Sequence, residues 1–376
     1  MGTAIDFLYL SETDMIKAGV MDMQGCIDAM EEMLKTMGSG DYVMGGANRN
    51  SHGVMVTFPE SSSFPNMPVN GPDRRFMAMP AYLGGNFDMA GVKWYGSNAA
   101  NRAKGLPRSI LMLILNDKDT GAPIAFMSAN ILSAYRTGAI PGVGIRHLAR
   151  KDARVVAIDG PGVMNRTLLK ACMCERPQVD TLKIHGHGQT SIDKFIAYAK
   201  ENFQQIKTIE VCDTLEAAVR DADIISTATS GTVGSASYPY IKEAWLKPGA
   251  MVCLPANGRF DDEFVLNRAK NVVDNIQLYK AWQEEIPYPA YEEIGIMGVR
   301  YMDMLHEGKM KDGQIDDLGD ILMGKKPGRR DDEEIILYSV GGMPTEDVAW
   351  GTIIYRNALK KGIGVKLNLW DKPAMA

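Results

Sequence analysis

Long apolar runs are missing from these 376 residues, and so are blocks of like charge. The first absence excludes a helix of the roughly 20 apolar residues that a bilayer core demands. The opening MGTAIDFLYLSETDM carries acids early and has no apolar stretch of secretion-signal type, so no membrane role is expected. A net charge of −5 with 23% charged residues argues against a nucleic-acid surface. Histidine and cysteine are scarce, at five each. No spacing among them resembles a zinc site or a disulfide scaffold, and the Cys172-x-Cys174 pair has no second pair nearby, so no metal is expected. The thiols read as reduced, which points to the cytoplasm. What remains is an ordinary globular composition, 45% hydrophobic and long enough for two domains or one large α/β unit.

Residues 11–37 read as one helix, with Ser11 as N-cap and Gly38-Ser39-Gly40 as its end. A Gly-, Asn-, Ser- and Pro-rich stretch follows to residue 75. Strand-like runs then occupy 76–81, 89–95, 110–116 and 123–127, with Asp117–Gly121 as a turn signal, so this block should be antiparallel and hairpin-rich. Helical periodicity returns over 128–148. From residue 153 strands and helices alternate, which implies a parallel sheet with right-handed crossovers. Near the end, 345–360 forms a strong helix in which Asp347, Lys360 and Lys361 suit the two poles of the helix dipole.

The segment ARVVAIDGPGVMNRTLLKA is strand, glycine turn, helix. Gly160 allows the tight turn; Gly162 lets the backbone of Val163 and Met164 approach a pyrophosphate at the helix N-terminus. G-x-G alone is a weak signal, but a second strand follows at the right distance. Two features are unusual. Asn165 stands where a small residue normally lets helix and strand pack closely, so the helix is expected to shift. The second strand ends in His185-Gly186-His187-Gly188-Gln189-Thr190, without the acid that would bind a ribose 2′-hydroxyl. That leaves room for a 2′-phosphate at His187, Gln189, Thr190 or Ser191, and the expected cofactor is NAD(P), leaning to NADP. The alternative is that these are solvated turn residues.

In order along the chain, MPAYLGG (79–85), GVKWYGSN (91–98), GLPRS (105–109), DTGAPIAFM (119–127), LSAYRTGA (132–139), GPGVMN (160–165), STATSG (226–231), LKPGAMV (246–252) and SVGGMPTEDVAW (339–350) resemble the ornithine cyclodeaminase/μ-crystallin family. The resemblance implies an α/β fold in which a Rossmann dinucleotide-binding domain (131–324) is inserted into a discontinuous α+β domain (1–130 and 325–376) for substrate binding and dimerisation. A homodimer is expected. It also implies redox chemistry at an amino- or imino-bearing carbon.

Residue roles follow from the same resemblance. On pattern alone a lysine flanked by Val92, Trp94 and Tyr95 is expected to face solvent; the resemblance instead places Lys93 in a pocket, as the family lysine beside the reacting carbon. A desolvated lysine can exchange protons with an amine near neutrality. Arg49 matches by order the arginine that clamps the substrate carboxylate, with Arg74 and Arg75 as competitors. Arg136 and Thr137 match a pair that contacts cofactor phosphates. Thr227, Thr229 and Ser230 end the fourth strand of the alternating region, on the nicotinamide side, and Val340 and Gly341 match a stretch near the nicotinamide. Asn257 stands where cyclodeaminases have an aspartate, and an amide cannot accept a proton at neutral pH. The expected function is therefore an NAD(P)-dependent oxidoreductase or cyclodeaminase acting on an amino or imino acid. The alternative is an NAD(P)H-binding protein of μ-crystallin type without significant turnover.

Overall fold

The computed structural model describes residues 3–229 and 233–375. First come β1 (Ile5–Leu10), α1 (Glu12–Ala18), α2 (Met23–Gly38), β2 (Tyr42–Met44), β3 (Val54–Val56), β4 (Arg75–Leu83), β5 (Met89–Ser97), β6 (Ser109–Asn116), β7 (Pro123–Ser128) and α3 (Asn130–Leu148). An alternating stretch follows: β8 (Val155–Asp159), α4 (Val163–Glu175), β9 (Thr181–His185), α5 (Gln189–Asn202), β10 (Thr208–Val211), α6 (Leu215–Val219), β11 (Ile224–Thr227) and β12 (Met251–Leu254). It continues through α7 (Asp262–Asn267), β13 (Lys270–Val273), α8 (Ile276–Glu285), α9 (Met297–His306), β14 (Ile315–Asp317), α10 (Leu318–Leu322) and β15 (Ile336–Ser339). α11 (Pro344–Lys361) and β16 (Val365–Trp370) come last.

Two compact units result: Met1–Asp22 with Ser39–Arg136 and Met343–Ala376, and Met23–Gly38 with Thr137–Gly342. In the first unit the sheet runs β16-β1-β7-β6-β5-β4-β2, with β3 also paired to β4. β4 to β7 form the expected antiparallel hairpins, while β1 joins β7 in parallel and β16 antiparallel. Side chains alternate with period two. Met77, Met79, Lys93, Tyr95 and Leu113 turn inward and are buried. α11 packs on this inner face through two glycines, because a Cβ on Gly91 would lie 3.3 Å from Val348 and one on Gly351 would lie 2.2 Å from Leu113. Pro344 in the first turn and Gly362 at φ 63° delimit that helix.

The second unit holds an all-parallel sheet, β10-β9-β8-β11-β12-β15-β13-β14. Its first five strands follow the 3-2-1-4-5 order of dinucleotide-binding folds, so the order reverses between β8 and β11. α3 and α4 approach closely at Gly138, where a Cβ would lie 2.5 Å from the Thr167 backbone.

Several readings of the sequence differ from the structure; the expected domain boundary at 131, for one, lies after Arg136. The single helix over 11–37 is two helices. Ser11 and Asp14 form a reciprocal capping box for α1, and Gly19 at φ 105° ends it. Residues 325–342 fall in the second unit, because β15 lies between β12 and β13 in the parallel sheet. α2 also belongs there, with Ile27 against Gly142. Among the described residues no helix is long and apolar enough to cross a membrane.

Candidate active site

Lys93 sits at the middle of β5 and is 2% exposed. Its Nζ donates to Asp347 Oδ2 at 2.7 Å. The same carboxylate accepts from Arg136 Nε at 3.2 Å, and Arg136 Nη1 donates to Glu346 Oε2 at 2.6 Å. Ser133 Oγ lies 3.5 Å from both Lys93 Nζ and Arg136 Nη2. Two cations and two anions thus form a neutral buried cluster. The acids come from the first turn of α11, where the helix dipole favours carboxylates. Glu346 Oε1 also accepts the Met343 N–H at 2.9 Å, which fixes that turn. Burial, then the nearby Arg136 charge, lower the Lys93 pKa to about 8, against the pull of Asp347. Arg136 is also penalised by burial, but its two carboxylates outweigh that and hold it firmly protonated. The lysine is therefore the member of the cluster that can exchange a proton near neutrality.

The glycine loop lies in the second unit, at the point where the strand order reverses. Gly160 has φ 84°, and a Cβ there would lie 2.5 Å from the Ala228 carbonyl oxygen. Gly162 is the N-cap of α4, has no side-chain cap, and has open space where a Cβ would stand. The first-turn N–H groups, including those of exposed Val163 and half-buried Met164, thus remain available to a phosphate. Asn165 does not displace the helix. Its Nδ2 donates to the Asp159 and Gly160 carbonyls, both at 2.9 Å, and its Oδ1 accepts from Ser226 Oγ at 2.7 Å. Side-chain hydrogen bonds here do what close packing does with glycine. At the end of β9, His185 Nδ1 lies 2.7 Å from Asp159 Oδ1, and exposed His187 packs edge-on against His185 at 5.5 Å. Burial raises the Asp159 pKa, partly offset by His185. The acid at this end of the sheet is thereby occupied by histidine. The residues present fit a dinucleotide: a bare glycine cradle, uncapped helix donors, and an Asp159 already engaged by His185.

The other candidates are dispersed. Arg49 is exposed on a turn with φ 61°. Arg74 donates to the Val69 carbonyl at 2.9 Å, and Arg75 pairs with Asp73. Thr137 is half-buried on α3. Thr227 Oγ1 donates to the Asn257 carbonyl at 3.2 Å, so this hydroxyl anchors the loop after β12. Thr229 is half-buried beyond β11, and Ser230 lies outside the described residues. Val340 and Gly341 follow β15. Buried Asp274 accepts the Gly341 N–H at 2.8 Å and the Gly342 N–H at 3.4 Å.

The ornithine cyclodeaminase/mu-crystallin family pattern matches residues 20–362. The chain belongs to this family. Within it, the chain is 28% identical to N-((2S)-2-amino-2-carboxyethyl)-L-glutamate dehydrogenase of Staphylococcus aureus, over 97% of this chain and 99% of that one. The fold matches an archaeal alanine dehydrogenase dimer with bound NAD, with a TM-score of 0.75 and 26% identity over 97% and 100% of the two chains. It also matches Thermococcus litoralis Δ1-pyrroline-2-carboxylate reductase in complex with NADH and L-proline, with a TM-score of 0.74 and 25% identity over 96% and 99%.

Sequence reasoning missed Asp347 and Glu346 as members of the Lys93 cluster, and Asp159 as the partner of His185. Asp347 reads as an ordinary acid at a helix start. The available signal was its apolar sequel, Val348-Ala349-Trp350, which places the first turn against a core rather than in water.

Proposed function

We propose that this family member is an NAD(P)-dependent oxidoreductase acting at the amino- or imino-bearing carbon of a small amino or imino acid. The observation that carries the reading is the buried Lys93 ammonium held on Asp347 at 2.7 Å, with its pKa lowered to about 8. A bound nicotinamide supplies or accepts the hydride at the substrate α-carbon. Lys93 Nζ gives a proton to the substrate nitrogen when an imine is reduced and takes one when an amine is oxidised. Asp347 fixes the ammonium in place. Arg136 shares Asp347 with Lys93, which supports assigning it to the substrate end rather than to the cofactor phosphates. Arg49 is the proposed clamp on the substrate carboxylate.

The dinucleotide is proposed to lie on Gly160, Gly162, Val163 and Met164. Thr137, Thr227, Thr229, Ser230, Val340 and Gly341 are the further cofactor contacts. Occupied Asp159 and exposed His187 favour NADPH over NADH. Titration by cofactor fluorescence is expected to give a lower Kd for NADPH; tighter NADH binding would reverse the preference. A panel of amino and imino acids read by NAD(P)H absorbance tests turnover. The second reading, a dinucleotide-binding protein without turnover, is favoured by Asn257. Tight cofactor binding with no turnover on the panel would select it.

A homodimer is proposed through the outer face of the first unit's sheet. Tyr9, Phe76, Trp94, Ile110, Val365, Leu367 and Leu369 alternate outward there, each 36–53% exposed. Phe76 stacks on Trp94 at 5.8 Å and Tyr9 on Phe126 at 6.1 Å. So continuous an apolar face on a lone chain marks an interaction surface. Trp94→Glu combined with Leu367→Glu is expected to convert a dimer to a monomer in sedimentation velocity. The five cysteines, all free thiols, suit a reducing compartment, and the cytoplasm is the proposed location.

A further inference from the structure

The inner face of the first unit's sheet continues past Lys93. On β5 the inward residues run Lys93, Tyr95, Ser97; on β4 they are Met79, Met77, Arg75, in register opposite them. Over this face Asp347 of α11 meets Lys93, and Val348 and Gly351 lie over Gly91 and Leu113. Beyond that point Met77, Met79 and Tyr95, with Leu111 against them, form a separate small cluster. Thioethers and an aromatic face make an adaptable apolar wall. The Tyr95 ring lies between two cations, with Lys93 Nζ 5.7 Å from its centroid and Arg75 Cζ 6.0 Å from it.

The far end of this strip is positive. Arg75 and Arg108 both pair with Asp73, whose carboxylate also accepts from Ser97 Oγ at 2.7 Å. One carboxylate against two guanidinium groups leaves a positive charge uncompensated. Arg75 Nε is buried and has no acceptor. A buried N–H without a partner is unfavourable, and a guanidinium edge matches a carboxylate.

We propose that the substrate is a dicarboxylic amino or imino acid whose side chain lies along the Tyr95 strip and whose distal carboxylate is held by Arg75. This rests on the reading of Lys93 as the residue at the reacting nitrogen. The side chain then runs over Met77 and Tyr95 from one cation to the other. Asp73 and Arg108 position Arg75, and Ser97 fixes Asp73.

The test compares two 2-oxo acids of equal chain length, 2-oxoglutarate and 2-oxopentanoate, titrated into the protein loaded with whichever of NADPH and NADH binds it more tightly and read by nicotinamide and tryptophan fluorescence. Wild type is expected to bind 2-oxoglutarate at least about tenfold more tightly, the gain of one good charge-assisted contact. In Arg75→Gln that ratio should collapse towards one, and Arg75→Lys should restore part of it. Equal affinities in wild type, or a ratio unchanged in Arg75→Gln, would overturn the proposal, and so would failure to bind either acid. The wild-type ratio needs no variant, so a misfolded Arg75→Gln does not spare the idea. Turnover of monocarboxylic amino acids without any dicarboxylate preference would sink this inference alone. Absence of dinucleotide binding would sink the functional reading beneath it.

Discussion

Lys93→Ala is expected to lower kcat/KM by about 10²–10⁴-fold, the usual contribution of a positioned acid or base. Dinucleotide affinity should stay within about twofold, because the lysine serves the proton and not the cofactor. The fold should survive at some cost in stability: Asp347 and Glu346 both keep Arg136 as a partner, although the cluster is left with one net negative charge. Turnover unchanged in this variant would remove the lysine from the chemistry. The pH dependence has a definite sign. Lys93 has its pKa lowered to about 8 by burial and then by Arg136. Imine reduction needs the protonated form, so its rate should be flat at lower pH and fall as pH rises through about 8. Amine oxidation needs the neutral form and should rise over the same range. Asp347→Asn removes an interaction that raises the lysine pKa, so both limbs should move to lower pH. A limb that did not move would place the titrating group elsewhere.

The two loop glycines should separate folding from binding. Gly160→Ala puts a side chain at φ 84° and a Cβ 2.5 Å from the Ala228 carbonyl oxygen. A loss of about 1–3 kcal/mol in stability is expected, together with loss of cofactor binding. Gly162→Val is different. The backbone at φ −97° and ψ −171° is extended, and no atom stands within 4 Å of the new Cβ. Its urea midpoint should stay close to wild type, whereas its Kd for NADPH should rise about a hundredfold, equivalent to roughly 3 kcal/mol. Unchanged affinity in Gly162→Val would show that the dinucleotide does not lie on this loop.

The glycine loop was legible because a tight turn between strand and helix constrains residue type locally. The same holds for the β4–β7 hairpins, marked by the Asp117–Gly121 turn. What escaped was set by partners far away in the chain. β1 and β16 are six-residue strands, the second wholly exposed, and the pairing that joins Ile5 to Trp370 links the two ends of the chain. Asn165 was read by size, as an obstruction. In place it is a three-way hydrogen-bonding group, and only the positions of two carbonyls and Ser226 reveal that. Asp347 was read by its helix position, which is correct, but its burial depends on a sheet built some 250 residues earlier.

That distance has a consequence for how the protein is made. Lys93 and its counter-ion are 254 residues apart, and β1, already paired with β7, gains its second neighbour only from the last strand. During synthesis the second unit is complete once residue 342 has emerged and can fold as a block while the first sheet still lacks an edge strand and its covering helix. Until α11 arrives, the inward-facing lysine has no Asp347 to hold it. The proton-carrying centre is therefore among the last features to form, and a chain cut short before residue 344 would present an open apolar sheet to chaperones and proteases rather than a weak enzyme.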